Sequence, residues 1–260
     1  MSKRLDFGFD VATKRMNNHS SEVLIGMRAS QDIVDGRLTI WDGDGSVQFL
    51  SVAAELFITS SSVGDTDQTV TVEGVDADWL PITGTASLNG QTEVSMGTFL
   101  HISRATITGG SINAGDLYIA PTTARTGGVP NDLTKILSKI PLGEGTTHNG
   151  WGIIPANSFI GITSFDAGVD TTSKVASISV HVHTLTAPVS TAARYNVTPS
   201  FSGYYFNPPL VSVGTSGPVL GPKSIIEYRA EVDTNSTEIF ILSNCVLMGI
   251  SELGTTTVGF

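Results

Sequence analysis

TVTVEGVDADWLPITGTASLNGQTEVSMGTFLHISRATI, residues 69–107, is the stretch on which the fold class turns. TVTV alternates polar and apolar residues with the period of two that a half-buried strand requires. Gly74 to Asp78 supplies Gly and Asp, which accept the tight backbone angles of a turn. A second strand is predicted through Leu80, Ile82 and Thr85 to Leu88. Asn89-Gly90 then reads as a two-residue hairpin turn whose register puts Leu88 and Val94 in the core. Thr92, Val94 and Met96 alternate with polar neighbours, and Phe99, Ile102 and Ile107 carry two more extended segments. The pattern predicts an antiparallel β-meander.

Outward from this stretch the same signals recur. Residues 46–59 (SVQFLSVAAELFIT) read as a strand pair or one long strand, and residues 60–68 as a loop. Leu117 to Ile119 reads as a short strand after the loop 109–115. Residues 120–130, rich in Pro, Thr and Gly, suggest a boundary or a long edge loop. Leu133, Ile136, Leu137 and Ile140 fall at i, i+3, i+4 and i+7, which predicts a short helix over 132–140 capped by Asn131 or Asp132 and stopped by Pro141, with a strand as the alternative. Residues 151–165 return to β with a turn at Pro155-Ala156-Asn157. Residues 174–185 (KVASISVHVHTL) alternate most cleanly, with Ala176, Ile178, Val180 and Val182 on one face. Residues 225–232 and 238–250 read as two closing strands about a turn at Asn235. Strands with turns every ten residues or so indicate an all-β protein of the antiparallel β-sandwich or jelly-roll type. Two β domains are expected, at 31–125 and 126–254, with an extended N-terminal arm at 1–30 and a tail at 255–260.

Composition sets limits on function. The chain has 260 residues, 40% hydrophobic and 15% charged, with 28 glycines, which describes a packed, turn-rich β protein. A net charge of −10 argues against a general nucleic-acid surface, which needs clustered Lys and Arg. No apolar stretch follows Lys3 and Arg4 as a signal peptide would require, and none reaches the roughly 20 residues that span a bilayer. Folding in a cytoplasm is therefore expected. The single cysteine, Cys245, lies in the apolar run ILSNCVLMGI and reads as a buried, unreactive residue.

No catalytic box stands out. His181 and His183 share a strand face and could both reach one metal, given a third ligand such as His101 or His148. A polar sheet face is the simpler reading. The pairs Asp42/Asp44, Asp65/Asp67 and Asp76/Asp78 are oxygen-rich, but turn formation accounts for them without calcium. Trp41, Trp79 and Trp151 each sit at a strand–turn junction and read as core or interface anchors. No cofactor and no metal is expected. Five of the 14 basic residues (Lys3, Arg4, Lys14, Arg15 and Arg28) fall within 1–30, which suggests an arm lying on an acidic neighbour. Phe7, Phe9 and Arg15 are its interface candidates. The run 201–209 adds Tyr204, Tyr205 and Phe206, aromatics beside Pro208-Pro209, suited to an edge that meets a neighbour. These features lead to the expectation of a homo-oligomer, a trimer first.

Several short motifs recur in a fixed order. They are the Trp41-Asp42-Gly43 turn, TVTVEGVDAD at 69–78, SLNGQTEV at 87–94, FLHISR at 99–104, IPAN at 154–157, Pro209-Leu210, and Lys223-Ser224-Ile225 before a closing hairpin. In this order they resemble a family of bacteriophage virion structural proteins common in marine and cyanobacterial podovirus-like phages, over residues 17–250. Asp44 stands where the family has glycine, and residues 18–30 diverge from its usual run. The resemblance implies a non-enzymatic virion component whose partners are other virion proteins, either the major capsid protein or tail proteins. Capsid decoration or a head-fibre-like role is the first expectation. A tail fibre, tail adaptor or receptor-binding role follows, and a glycan-binding module is the alternative from another class.

Overall fold

A period-two chain with apolar residues on one face must bury that face against a second layer, and this chain does so twice. The structure, a computed structural model, describes residues 19–43, 45–169, 175–184, 194–195, 200–202 and 219–249. Among them every ladder is antiparallel, and the only helical pieces are two short 3-10 turns. In chain order the strands are β1 (His19–Gln31), β2 (Leu38–Thr39), β3 (Ala54–Ser60), β4 (Thr69–Val75), β5 (Pro81–Ser87), β6 (Val94–Phe99), β7 (His101–Gly109) and β8 (Leu117–Pro121). There follow β9 (Arg125–Thr126), β10 (Val129–Pro130), β11 (Ser138–Ile140), β12 (Trp151–Ile154), β13 (Ser158–Val169) and β14 (Val175–Thr184). Last come β15 (Arg194–Tyr195), β16 (Ser200–Ser202), β17 (Val219–Leu220), β18 (Ser224–Val232) and β19 (Thr237–Gly249).

The sheet β11-β8-β3-β6 packs on β5-β4-β7 around Leu56, Ile58, Val70, Val72, Phe99, Leu117 and Ile119. The sheet β1-β19-β13-β17 packs on the sheet of β12, β18 and β14, to which β2, β15 and β16 also pair, around Ile178, Ile226, Tyr228, Ile239 and Ile241. A third cluster joins the two sandwiches. Val75, Leu100, Tyr118 and Ile136 from the first meet Trp41, Trp151, Ile153 and Ile225 from the second. Ala176 and Ile178 are buried as the alternation of β14 requires, and all three tryptophans are core residues. Cys245 is 1% exposed, and burial pushes its thiol up to about 11, against the hydrogen bond with Ser243. A thiol reagent should therefore label the native protein only as fast as it unfolds; rapid labelling would contradict this placement.

Several local expectations are overturned. Residues 69–107 do not form one meander, because β5 pairs with β4 while β6 pairs with β3 in the facing sheet. The turn is shifted by one residue: Thr92 N donates to Asn89 O at 3.0 Å, so Gly90-Gln91 is the central pair, and Gly90 alone of Asn89 and Gly90 takes a positive φ, 57°. Tertiary bonds dictate this: Gly90 N donates to Asp65 O (2.7 Å) and its carbonyl accepts from Ser60 N (2.9 Å). Leu88 is buried and Val94 packs against the same core. A Cβ on Gly90 would lie 2.7 Å from Val63 O. Gly90→Val should therefore cost about 1–3 kcal/mol through backbone strain, read as a lowered melting temperature; an unchanged one would contradict the turn.

The turn foreseen at 74–78 lies at 76–80, where Asp76 Oδ1 accepts from Asp78 N and Leu80 N, both at 2.9 Å. Residues 46–53 are not strand; only β3 is. The helix over 132–140 is instead a 3-10 turn, Leu133–Lys135, capped by Asp132 and followed by β11. Ile136 and Leu137 point into different cores, so adjacent residues are both buried and the helical spacing is a coincidence. β18 and β19 lie in opposite sheets and form no closing hairpin. The ladder crosses the boundary expected at 125/126, since β11 pairs with β8, and residues 19–39 contribute strands to the second sandwich. Residues 19–30 of the expected arm thus form part of an ordinary first strand.

Candidate interaction surfaces

An open cleft runs between β1 and the sheet β5-β4-β7. Two adjoining lobes of about 320 and 330 Å³ share Glu22, Leu24, Glu73, Ser103 and Arg104 as walls. Alternation along β1 sends Leu24 inward and leaves Val23 and Ile25 at 44% and 43% exposure. Most polar groups of the cleft are already used. Arg104 binds Glu73 at 2.7 Å, Ser103 Oγ donates to Glu73 O at 2.9 Å, and Ala105 N donates to Thr147 Oγ1 at 3.1 Å. Asn149 Nδ2 donates to Ser103 O and Ser138 Oγ. Trp151 Nε1 donates to Ile102 O at 2.9 Å. Such groups hold the walls together and leave little with which to orient a substrate. Glu22 differs, for it accepts no hydrogen bond among the described residues. Burial raises its pKa, the charge of Arg104 opposes the rise, and Glu73 adds to it.

At one end of the first sandwich the loops 61–68, 110–116 and 141–146 are tied into one body. The buried Asp65 carboxylate accepts from Ala114 N (2.7 Å), Gly115 N (3.0 Å) and Ser60 Oγ (2.5 Å). Asn113 Nδ2 donates to Pro141 O at 2.7 Å, and Asp116 Oδ1 accepts from Leu142 N at 2.9 Å. From this body Val63, Ile112 and Leu142 project at 76%, 61% and 60% exposure. The three loops hold no Lys or Arg. Exposed aliphatics on loops fixed beforehand are what a protein-binding surface needs, since little ordering entropy remains to be lost on contact.

Near the joint, His148 Nδ1 lies 2.8 Å from Asp42 Oδ2, with Glu144 3.9 Å from Nε2. The hydrogen bond to Asp42 holds the imidazole above its ordinary range against the effect of burial, and the charges of Asp42 and Glu144 add to the rise. A raised folded pKa means that the stabilisation is full below the unfolded value, about 6.5, and is lost as pH climbs through the folded one. Wild type should exceed His148→Gln in stability by on the order of 1 kcal/mol at about pH 5.5, and the gap should shrink by about pH 8.5. Paired melting curves check this; a gap independent of pH would contradict it.

Phe7, Phe9, Arg15, Tyr204, Tyr205 and Phe206 lie outside the described residues, as do Asp44 and the side chain of His183. His101 packs edge-on to Trp79 and Phe49, and His148 pairs with Asp42. Among the described residues no group of three His, Cys, Asp or Glu could hold a metal ion. Asp65 and Asp67 bond to the loop 110–116, and Asp76 organises its own turn. Arg28, counted above with a basic arm, is 6% exposed and donates to Thr39 O, Gly43 O and Gly45 O. Sequence reasoning missed the loop-end aliphatics, whose signal is an apolar residue set among turn formers, as in SSVGD and PLGEG.

No family model matches the chain, and no curated protein does. Two solved structures of infectious bursal disease virus superpose on it weakly. The Gt strain structure does so at 10% identity over 94% of this chain and 78% of that one, with a TM-score of 0.26. The Gx strain structure gives 10% identity over 92% and 83%, with a TM-score of 0.14. Scores this low establish neither a shared fold nor a shared function.

Proposed function

We propose that the chain is a non-enzymatic structural component of a bacteriophage particle, a capsid decoration or head-fibre-like protein. It folds in the host cytoplasm and joins the virion as a homo-oligomer. The observation that carries this reading is the loop end, where Val63, Ile112 and Leu142 stand exposed on three loops locked to the buried Asp65. That surface suits attachment to another virion protein. The internally bonded walls of the cleft support the non-enzymatic part, and the ordered motifs at 69–78, 87–94 and 99–104 support the phage assignment. Val63→Ser, Ile112→Ser and Leu142→Ser combined should lower incorporation into particles about tenfold, the equivalent of 1.4 kcal/mol. Melting should hardly change, because these side chains are exposed in the folded chain. Normal incorporation would remove the loop end as the attachment surface.

A further inference from the structure

The charged residues of the cleft between β1 and β5-β4-β7 sum to one negative charge, and Arg104 offsets it at Glu22 only in part. These residues are Glu22, Glu73 and Arg104, and Arg104 is committed to Glu73 through Nε (3.2 Å) and Nη2 (2.7 Å). Glu22 is left half-buried and without a donor among the described residues, a costly state for a carboxylate that a cation entering the cleft would relieve. Around it Val23, Leu24, Ile25, Pro81 and Leu247 offer apolar wall. β1 is also an edge strand, bonded to β19 on one side and to no strand on the other among the described residues. A long edge of this kind is a template for another chain. An occupant that suits the cleft is extended, apolar and basic.

The chain contains one segment of that description. Residues 1–18 hold Lys3, Arg4, Lys14 and Arg15 against Asp6 and Asp10, two positive charges in excess, together with Leu5, Phe7, Phe9 and Met16. We infer that the cleft of one copy receives the N-terminal segment of a second copy, with Lys14 or Arg15 pairing with Glu22 and the aromatic residues lying on the apolar wall. The homo-oligomer of the proposed function favours exchange between copies over a fold-back within one. Eighteen residues can span up to roughly 60 Å, enough to reach a neighbour. The loop end is the poorer receptor, because Asp65, Asp67 and Asp116 there already accept backbone N–H groups.

This rests on the homo-oligomer part of the proposed function and not on its virion part. The test uses the full chain at micromolar concentration and low salt, with mass read by light scattering. Wild type should form a multiple of the 27.3 kDa chain mass. Glu22→Lys alone, and Lys14→Glu with Arg15→Glu, should each self-associate about tenfold or more weakly, since both set like charges against each other. Mixing the two variants should restore a species of twice the chain mass, because one supplies an intact segment and the other an intact cleft. Variants that stay monomeric on mixing would overturn the exchange. Variants that oligomerise like wild type would place self-association on another face and leave the homo-oligomer standing. A monomeric wild type would overturn both.

Discussion

Trp151→Ala is expected to destabilise the protein by about 3–5 kcal/mol, the range for truncating a fully buried aromatic side chain. Trp151 is 1% exposed and sits where the two sandwiches meet, its ring 5.6 Å from Trp41 and 6.0 Å from Phe49, both edge-on. Its indole N–H is the donor to Ile102 O in β7, so the truncation also strands a buried carbonyl. At 2–4 °C for each kcal/mol, the melting temperature should fall by roughly 6–20 °C. Trp151→Phe should cost less, because it keeps most of the packing and loses the hydrogen bond. Since the residue belongs to the joint, Trp151→Ala should also separate one melting transition into two. A single transition at the wild-type temperature would mean that the joint is held by something else.

Glu227→Ala ranks beside it. Glu227 on β18 has a fully buried side chain whose Oε1 and Oε2 accept from Arg229 Nε and Nη2, both at 2.9 Å. Oε1 also accepts from Thr39 Oγ1, which in turn accepts from Val47 N at 3.1 Å. Removing the carboxylate takes away the partner of a guanidinium and the acceptor that ties β2 to β18. Breaking a buried pair from one side costs about 3–5 kcal/mol. The Arg229 side chain is 27% exposed and can turn toward water, which puts the expected cost at the lower end. Replacing Glu227 and Arg229 together by Met should cost less than Glu227→Ala alone, because the carboxylate and its guanidinium partner then leave together. Denaturant titration of the three proteins checks both statements, and a double variant worse than the single one would refute the ion-pair account.

The strands were readable because period-two patterning reports one buried face directly. β14 falls within the segment that alternation picks out, β4 opens on the alternating TVTV, and β8 and β13 overlap the strands expected at 117–119 and 151–165. What alternation cannot convey is which sheet a strand joins. Asn89-Gly90 has the local chemistry of a tight hairpin, yet bonds from Asp65 and Ser60, distant in sequence, draw the turn across to the other sheet. Residues 133–140 mislead for a related reason: Ile136 and Leu137 serve two different cores, and two-sided burial imitates helical spacing. The interaction surfaces were less legible still. Val63, Ile112 and Leu142 matter through exposure, a property of the folded chain, and the isolation of Glu22 depends on Arg104 having been taken by Glu73.

Cryo-electron microscopy of virions of the proposed phage source tests the central claim most directly. The account predicts paired β-sandwiches at regular positions on the particle, with the loops 61–68, 110–116 and 141–146 pressed against a neighbouring virion protein. Particles without the chain would contradict a virion role. Particles that carry it with the loop end facing solvent would contradict the attachment surface.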